Sequence, residues 1–317
     1  MSDREPAMDE RFPNLIVAGV SKGGTTTLAG YLGRHQDVCL ARSQEVFYAL
    51  AAGASGEGLR PYRDGYDSCR GQRYLCEHGA TYYFGGEYVV DAIKRWQPEA
   101  RILMTVRDPV DRLWSAYNYI KGAFRLPRET SFEDYISEAE RRRDAGLDTL
   151  PDPVWRELAI GHYDQTVVPW IDAFGTHLRV VFFERWTKDP VSALRELWDW
   201  LGIPVGAEGG MDLSKRNRTV LHRNRVVKEA AYALNRRVTY VLTRTPRLKD
   251  ALRRAYYAIN ADPVADRMRP ETRESVRAIY APSNAHLARA LRLHGYEWFP
   301  DWLEEPTPSR LRSDERT

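Results

Sequence analysis

The chain has 317 residues, 43% of them apolar and 29% charged, with a formal net charge of +3. Such a length can bury a full core in one large domain or two small ones, and aromatic residues at 11% exclude a disordered chain. Apolar runs such as Leu15–Val20 stop at about six residues, far short of the roughly 20 that a bilayer span needs, and no fixed-period repeat is present.

Taken in order, residues 1–12 read as a frayed polar tail with no apolar signal-peptide core. Asn14–Val20 is a β-branched run, read as a buried strand, and Thr25–Arg34 has helical periodicity with Leu28, Tyr31 and Leu32 on one side. The Gly/Ser/Tyr-rich stretch 51–74 reads as loops. Tyr88–Trp96 is helix-like, and Arg101–Val106 is a second buried strand. Asp108-Pro109 fits an N-cap followed by proline at the first helical position, opening a helix to about Lys121. Ser131–Arg143 and Tyr163–Phe174 read as helices and Leu178–Phe183 as a third strand. Pro190–Leu201 is a helix stopped by Gly202. From Asn224 the chain reads as mainly helical, up to an aromatic cluster at Tyr296–Trp302, and 304–317 is a second polar tail.

Strand and helix alternating, with continuously apolar strands, predicts an α/β protein whose parallel sheet is covered on both faces. The expected fold is a P-loop-like three-layer α/β/α arrangement with a mainly helical C-terminal extension from about residue 205, all within one domain at 13–303.

Of the 47 basic residues, 40 are arginine. Coding bias and phosphate recognition by guanidinium forks both produce such an excess, and composition does not separate them. Acids are interspersed with the bases, unlike the dense basic stripe of a nucleic-acid binder, so no nucleic-acid partner is expected. Cys39, Cys69 and Cys76 are few, odd in number and form no CxxC pair. They read as reduced thiols in a cytosol.

In doubly covered parallel sheets ligands sit beyond the carboxyl ends of the strands. Three loops follow those ends: Ser21–Thr27, Arg107–Asp111 and Glu184–Pro190. The first two carry the chemistry. Gly19-Val20-Ser21-Lys22-Gly23-Gly24-Thr25-Thr26-Thr27 leads straight into a helix. Its glycines let amides turn inward, the helix N-terminus adds about half a positive charge, and Lys22 adds a full one. Thr25, Thr26 and Thr27 offer hydroxyls, so the loop suits a phosphate or a sulfate. A nucleotide triphosphatase loop places lysine after the glycines, with a hydroxyl for magnesium. Here lysine precedes both glycines, so the anion is expected to be handled without metal. Arg107 emerges at the end of the second confident strand. Ser115 lies eight positions on, about two helical turns along, so fork and hydroxyl could share one phosphate. Arg112 and Tyr117 read as packing residues.

These residues resemble the sulfotransferases that use 3′-phosphoadenylyl sulfate (PAPS). SKGGTTTL is similar to their 5′-phosphosulfate loop and RDPVDRLWSAY to their 3′-phosphate motif, in that order and about 80 residues apart. The similarity continues through Gly161-His162-Tyr163, Trp170, Phe174, VVFFERWTKDP and WDWLGIP. It covers most of 14–205 and, more weakly, Tyr280–Trp298, with the flavour of the glycan-type and bacterial branch. The resemblance implies PAPS as co-substrate, PAP as product and no metal.

For the base that takes the acceptor's proton there are two candidates. Glu45 resembles the glutamate of the family's Lys-Glu segment, although Gln44 replaces the lysine. His78 lies in Glu77-His78-Gly79-Ala80-Thr81-Tyr82, where the glycan-type branch often has Glu-Lys-Ser/Thr-Pro-x-Tyr, and imidazole titrates near working pH. Tyr62, Tyr66, Tyr74, Tyr82, Tyr83 and Tyr88 could line an acceptor cleft or simply pack. The basic run Lys215-Arg216-Asn217-Arg218, with Arg223 and Arg225, reads as a solvated face. The six other histidines have no metal-ligand spacing.

The reading is a cytoplasmic, metal-independent sulfotransferase acting by direct in-line transfer on a hydroxyl of a small-molecule, lipid or glycan acceptor, without stable membrane insertion. A P-loop kinase using ATP and magnesium, and a non-catalytic binder of PAPS or PAP, are the alternatives. Neither the acceptor nor the oligomeric state is legible.

Overall fold

The structure is a computed structural model that describes residues 12–41, 47, 64–147, 154–205 and 267–304, together with the backbone at 221–222 and 261–262. Its elements in chain order are β1 (Leu15–Gly19), α1 (Thr25–Leu32), β2 (Val38–Leu40), β3 (Tyr74–Gly79), α2 (Gly86–Trp96), β4 (Arg101–Val106), α3 (Pro109–Gly122), α4 (Phe132–Asp144), α5 (Glu157–Ile160), α6 (Asp164–Phe174), β5 (Leu178–Phe182), α7 (Phe183–Lys188), α8 (Pro190–Leu201), β6 (Leu221–His222), β7 (Ala261–Asp262) and α9 (Pro270–Leu293). The chain divides into two compact units. One comprises Met1–Pro109, His162–Ser214 and Arg277–Thr317; the other comprises Val110–Gly161 and Lys215–Val276.

The first unit is built on a five-stranded parallel sheet in the order β2-β3-β1-β4-β5. Leu15 of β1 lies opposite Cys76 of β3 and Arg101 of β4, and Gly19 lies opposite Thr105. β1 is buried along its whole length, as a central strand covered on both faces must be. Side chains alternate between the faces. Leu15, Val17, Leu103 and Val181 pack on one face with Leu28 of α1 and Leu197 of α8. On the other face α6 packs on β5 and against α2. This is the α/β architecture expected from the alternation, and proline opens α3 and α8 at the expected positions.

Two strands were not expected. β2 is only three residues long, and β3 was hidden because its apolar run is broken by Glu77 and His78. Glu77 is nevertheless 1% exposed. The hydroxyl of Tyr82 donates to its carboxyl, giving this buried polar group a hydrogen-bond partner. Tyr82 in turn accepts from the amide of Phe47 at 3.2 Å. Tyr66, Tyr74 and Tyr83 are also buried and pack, while Tyr88 is exposed. The expectation of three reduced thiols is corrected: Cys39, in β2, and Cys69 form a disulfide across 30 residues of sequence, and only Cys76 is free and buried. Spacing could not reveal the pair, since the strand pairing of β2 with β3 is what brings the two cysteines together.

The second unit holds nearly all of α3, with α4, α5, the antiparallel β6–β7 pair and the first turns of α9. Ser131 caps α4 in a reciprocal capping box with Asp134. Trp114, Tyr117, Phe132 and Tyr135 form a ring cluster with centroid separations of 4.9 to 5.6 Å. Arg112 is fully buried and pairs with Glu157 at 2.6 Å, and the Tyr117 hydroxyl donates to the Thr130 carbonyl, so both residues serve packing here. No helix among the described residues is long and apolar enough to cross a membrane.

Candidate functional site

The turn between β1 and α1 is tightly constrained. Lys22 takes a left-handed backbone with φ 67°, a conformation costly for a side-chain-bearing residue, and Gly24 follows with φ 88°. The Gly23 amide donates to Val20 at 2.9 Å, and the Thr27 and Leu28 amides donate to Gly24 at 3.0 Å. A Cβ at Gly23 would lie 2.7 Å from Val20, one at Gly24 would lie 2.6 Å from the Trp186 ring, and one at Gly19 would collide with the Thr105 hydroxyl. Only glycine lets this turn lie flat on β4 and on the Trp186 ring. The first amides of α1, at Thr25 and Thr26, have no intrahelical acceptor by helix geometry. The Thr105 hydroxyl is buried beneath the turn without a hydrogen-bond partner. A cradle of small residues, first-turn amides and a lysine is what a tetrahedral anion needs.

Arg107 follows β4, the strand beside β1, so both turns open at the same end of the sheet. Its Nη1 donates to the Lys22 carbonyl at 3.4 Å, and its guanidinium lies 4.6 Å from the centroid of the Phe183 ring. The Arg107 carbonyl accepts from the hydroxyl of the fully buried Tyr163 at 2.7 Å. The Asp108 amide donates to Glu184 Oε1 at 2.7 Å. Burial raises the Glu184 carboxyl above its ordinary range, against the lowering effect of that hydrogen bond.

The structure therefore brings together Lys22, Gly23, Gly24, Thr25, Thr26, Thr27 and Arg107. His78 stands at the carboxyl end of β3, opposite Val17, on the sheet face that packs against α1. Ser115 stands on α3 in the second unit. Glu45, Tyr62 and the basic run at 215–218, 223 and 225 lie outside the described residues.

Sequence reasoning missed the third strand end. Glu184–Pro190 was read as a loop without chemistry, whereas 183–188 form α7, whose Phe183, Glu184 and Trp186 touch both anion turns. The FER-W spacing after a strand was the available signal, but what those side chains touch is a long-range fact. Trp186 also lines a cavity of about 840 Å³ along the edge strand β5, with Arg179, Glu196, Trp200 and Trp298, and none of the candidate anion-binding or catalytic residues lines it. Among the described residues no cluster of histidine, cysteine, aspartate and glutamate could hold a metal.

The comparisons point the same way as this geometry. The family model for the sulfotransferase domain matches residues 91–230. Heparan sulfate glucosamine 3-O-sulfotransferase 3B1 of mouse is 30% identical over 198 residues, covering 62% of this chain and 48% of that protein. The mouse 3A1 enzyme is 30% identical over 195 residues, covering 61% and 47%. The chain thus spans about half the length of these curated relatives. A crystal structure of a sulfotransferase from Alicyclobacillus acidocaldarius shares the fold with a TM-score of 0.61 at 23% identity, covering 89% of this chain and 97% of that one. The chain thus carries a match to the sulfotransferase domain over residues 91–230 and is similar to these sulfotransferases.

Proposed function

We propose that the chain is a PAPS-dependent sulfotransferase that passes the sulfuryl group to a hydroxyl acceptor by direct in-line transfer. The observation that carries this reading is the convergence of the Lys22 turn and Arg107 at adjacent strand ends, joined by the Arg107–Lys22 contact. PAPS supplies an activated sulfuryl group and carries anionic groups at both its 5′ and 3′ positions. Lys22 and the amides of 23–27 hold the phosphosulfate and stabilise charge growing on the departing phosphate oxygen. Arg107 grips the 3′-phosphate as a fork. As the acceptor oxygen forms its bond to sulfur and the bond from sulfur to phosphate oxygen breaks, Glu45 or His78 takes the acceptor's proton.

The relatives are named for sulfation of a glucosamine, which makes a sugar hydroxyl the first acceptor class to test; lipid and small-metabolite hydroxyls follow. The kinase alternative is disfavoured by Lys22 preceding both glycines. The test is transfer of radiolabelled sulfate from PAPS into an acceptor panel and into extracts of the producing cell, with EDTA present. A labelled product formed in EDTA is the expected outcome. Labelling from ATP with magnesium instead, or tight PAP binding with transfer to no acceptor, would overturn it.

A further inference from the structure

α7 is a short helix, yet three of its side chains reach the two anion turns. Phe183 lies under the Arg107 guanidinium and, with Trp186, closes on the face of Gly24. Glu184 takes the other approach: Oε1 accepts from the Asp108 amide, while the rest of its carboxylate is buried beside the Trp302 indole, whose N–H favours the charged form. Trp302 stacks edge-on to Tyr163, whose hydroxyl binds the Arg107 carbonyl. The peptide between Arg107 and Asp108 is therefore held at its carbonyl by Tyr163 and at its amide by Glu184, and both anchors meet Trp302.

A carboxylate buried in this way costs stability that an apolar residue would not. Its raised pKa agrees with that cost. No arginine or lysine forms an ion pair with it among the described residues, where Arg179 and Arg185 pair with Glu196 instead. What it does supply is a fixed acceptor for the amide directly after Arg107.

We infer that Glu184 is a positioning residue for the nucleotide: it sets the Arg107–Asp108 turn so that the Arg107 fork is aimed before the 3′-phosphate arrives. Glu184 touches no reacting atom and acts through Arg107. A preorganised fork loses less freedom when it closes on its anion, so misplacing the turn weakens donor binding without altering the groups that do the chemistry. The role depends on reach, not on charge. This inference rests on the proposed PAPS reading and adds a residue to it.

The test is calorimetric titration of PAP into the full chain and its Glu184→Asp and Glu184→Gln variants, alongside the apparent KM for PAPS and for the acceptor. Asp keeps the charge but is one methylene too short for the Asp108 amide; Gln keeps the reach and the acceptor oxygen but loses the charge. The expected result is a dissociation constant about tenfold weaker for Glu184→Asp and within about threefold of wild type for Glu184→Gln, as befits the loss of one charge-assisted hydrogen bond. KM for PAPS should rise in the Asp variant while KM for the acceptor stays put. A residue that only supports the fold would lower the binding stoichiometry, through unfolded protein, and leave the dissociation constant of the remainder unchanged. That outcome, or equal affinity of the Asp variant and wild type, overturns the inference. So does a Gln variant weakened as much as the Asp variant, because charge and not reach would then be the cause. Failure of the wild-type chain to bind PAP at all would instead overturn the functional reading itself.

Discussion

The Arg107 guanidinium donates to the Lys22 carbonyl at 3.4 Å across 85 residues of sequence, so the two turns expected to hold opposite ends of one nucleotide are in contact. Arg107 also lies face-on to Phe183. A lysine could supply the charge but neither the fork nor the stacking. Arg107→Lys and Arg107→Ala should therefore both weaken PAP binding, by about 10-fold to 100-fold, the range that corresponds to losing roughly 1.5–3 kcal/mol of charged hydrogen bonding. Titration calorimetry checks this; full rescue by lysine would show that only charge matters.

Gly24 combines a φ of 88° with a ring edge where a Cβ would stand. Gly24→Ala should destabilise the first unit by at least about 1–2 kcal/mol from the left-handed backbone alone, with the clash added. Trp186→Leu in the same chain should recover the clash but not the backbone cost. Thermal melts of the single and double variants test this; a melting point unchanged in Gly24→Ala would contradict the turn geometry.

The two base candidates separate by which constant they move. His78→Ala and Glu45→Gln should each leave PAP affinity within about threefold, and whichever residue is the base should lose on the order of 10²–10⁴ in turnover. Single-turnover kinetics beside PAP titration make the comparison. Unaltered turnover in both variants would remove the pair from the mechanism.

Burial holds the Glu184 carboxyl above the ordinary carboxylate range in the folded chain. The folded chain then binds that proton more tightly than the unfolded chain does. Its contribution to stability is largest in acid and declines as pH rises from about 4.5 through the folded value, levelling above it. Glu184→Gln has no proton to lose there, so its melting temperature relative to wild type should climb across that window and then stay level. A difference that is flat with pH, or that runs the other way, would contradict the burial of this carboxyl.

The two turns proposed to bind anions were legible as turns at strand ends because their signals are local: successive glycines after a buried strand, a lysine in the turn, and an arginine where a second apolar run stops. β3 was not legible, because a carboxyl at position 77 breaks the apolar pattern and is accommodated by partners outside the strand, Tyr82 among them. The contribution of α7 was invisible for a related reason. Phe183, Glu184 and Trp186 gain their meaning from Arg107, Asp108 and Gly24, which only the sheet order brings near.

The Cys39–Cys69 bridge closes a loop of 30 residues in sequence separation. Chain-entropy arguments assign such a loop about 3–4 kcal/mol of stabilisation. Alkylation in denaturant should therefore label one cysteine, Cys76, without reductant and three with it, and reduction should lower the melting temperature. The oxidation state trapped in cells would also report the compartment, since such bridges persist where the environment is oxidising. Three labelled cysteines without reductant would contradict the pairing.

Under the proposed function the turns at 21–27 and at Arg107 hold one adenosine 3′,5′-bisphosphate without metal. Calorimetric titration of PAP in the presence of EDTA tests it most directly. Saturable one-to-one binding in EDTA is expected, abolished in the Lys22→Ala, Arg107→Ala double variant, with no comparable binding of ATP and magnesium. Absence of PAP binding, or binding of ATP only when magnesium is supplied, would contradict it.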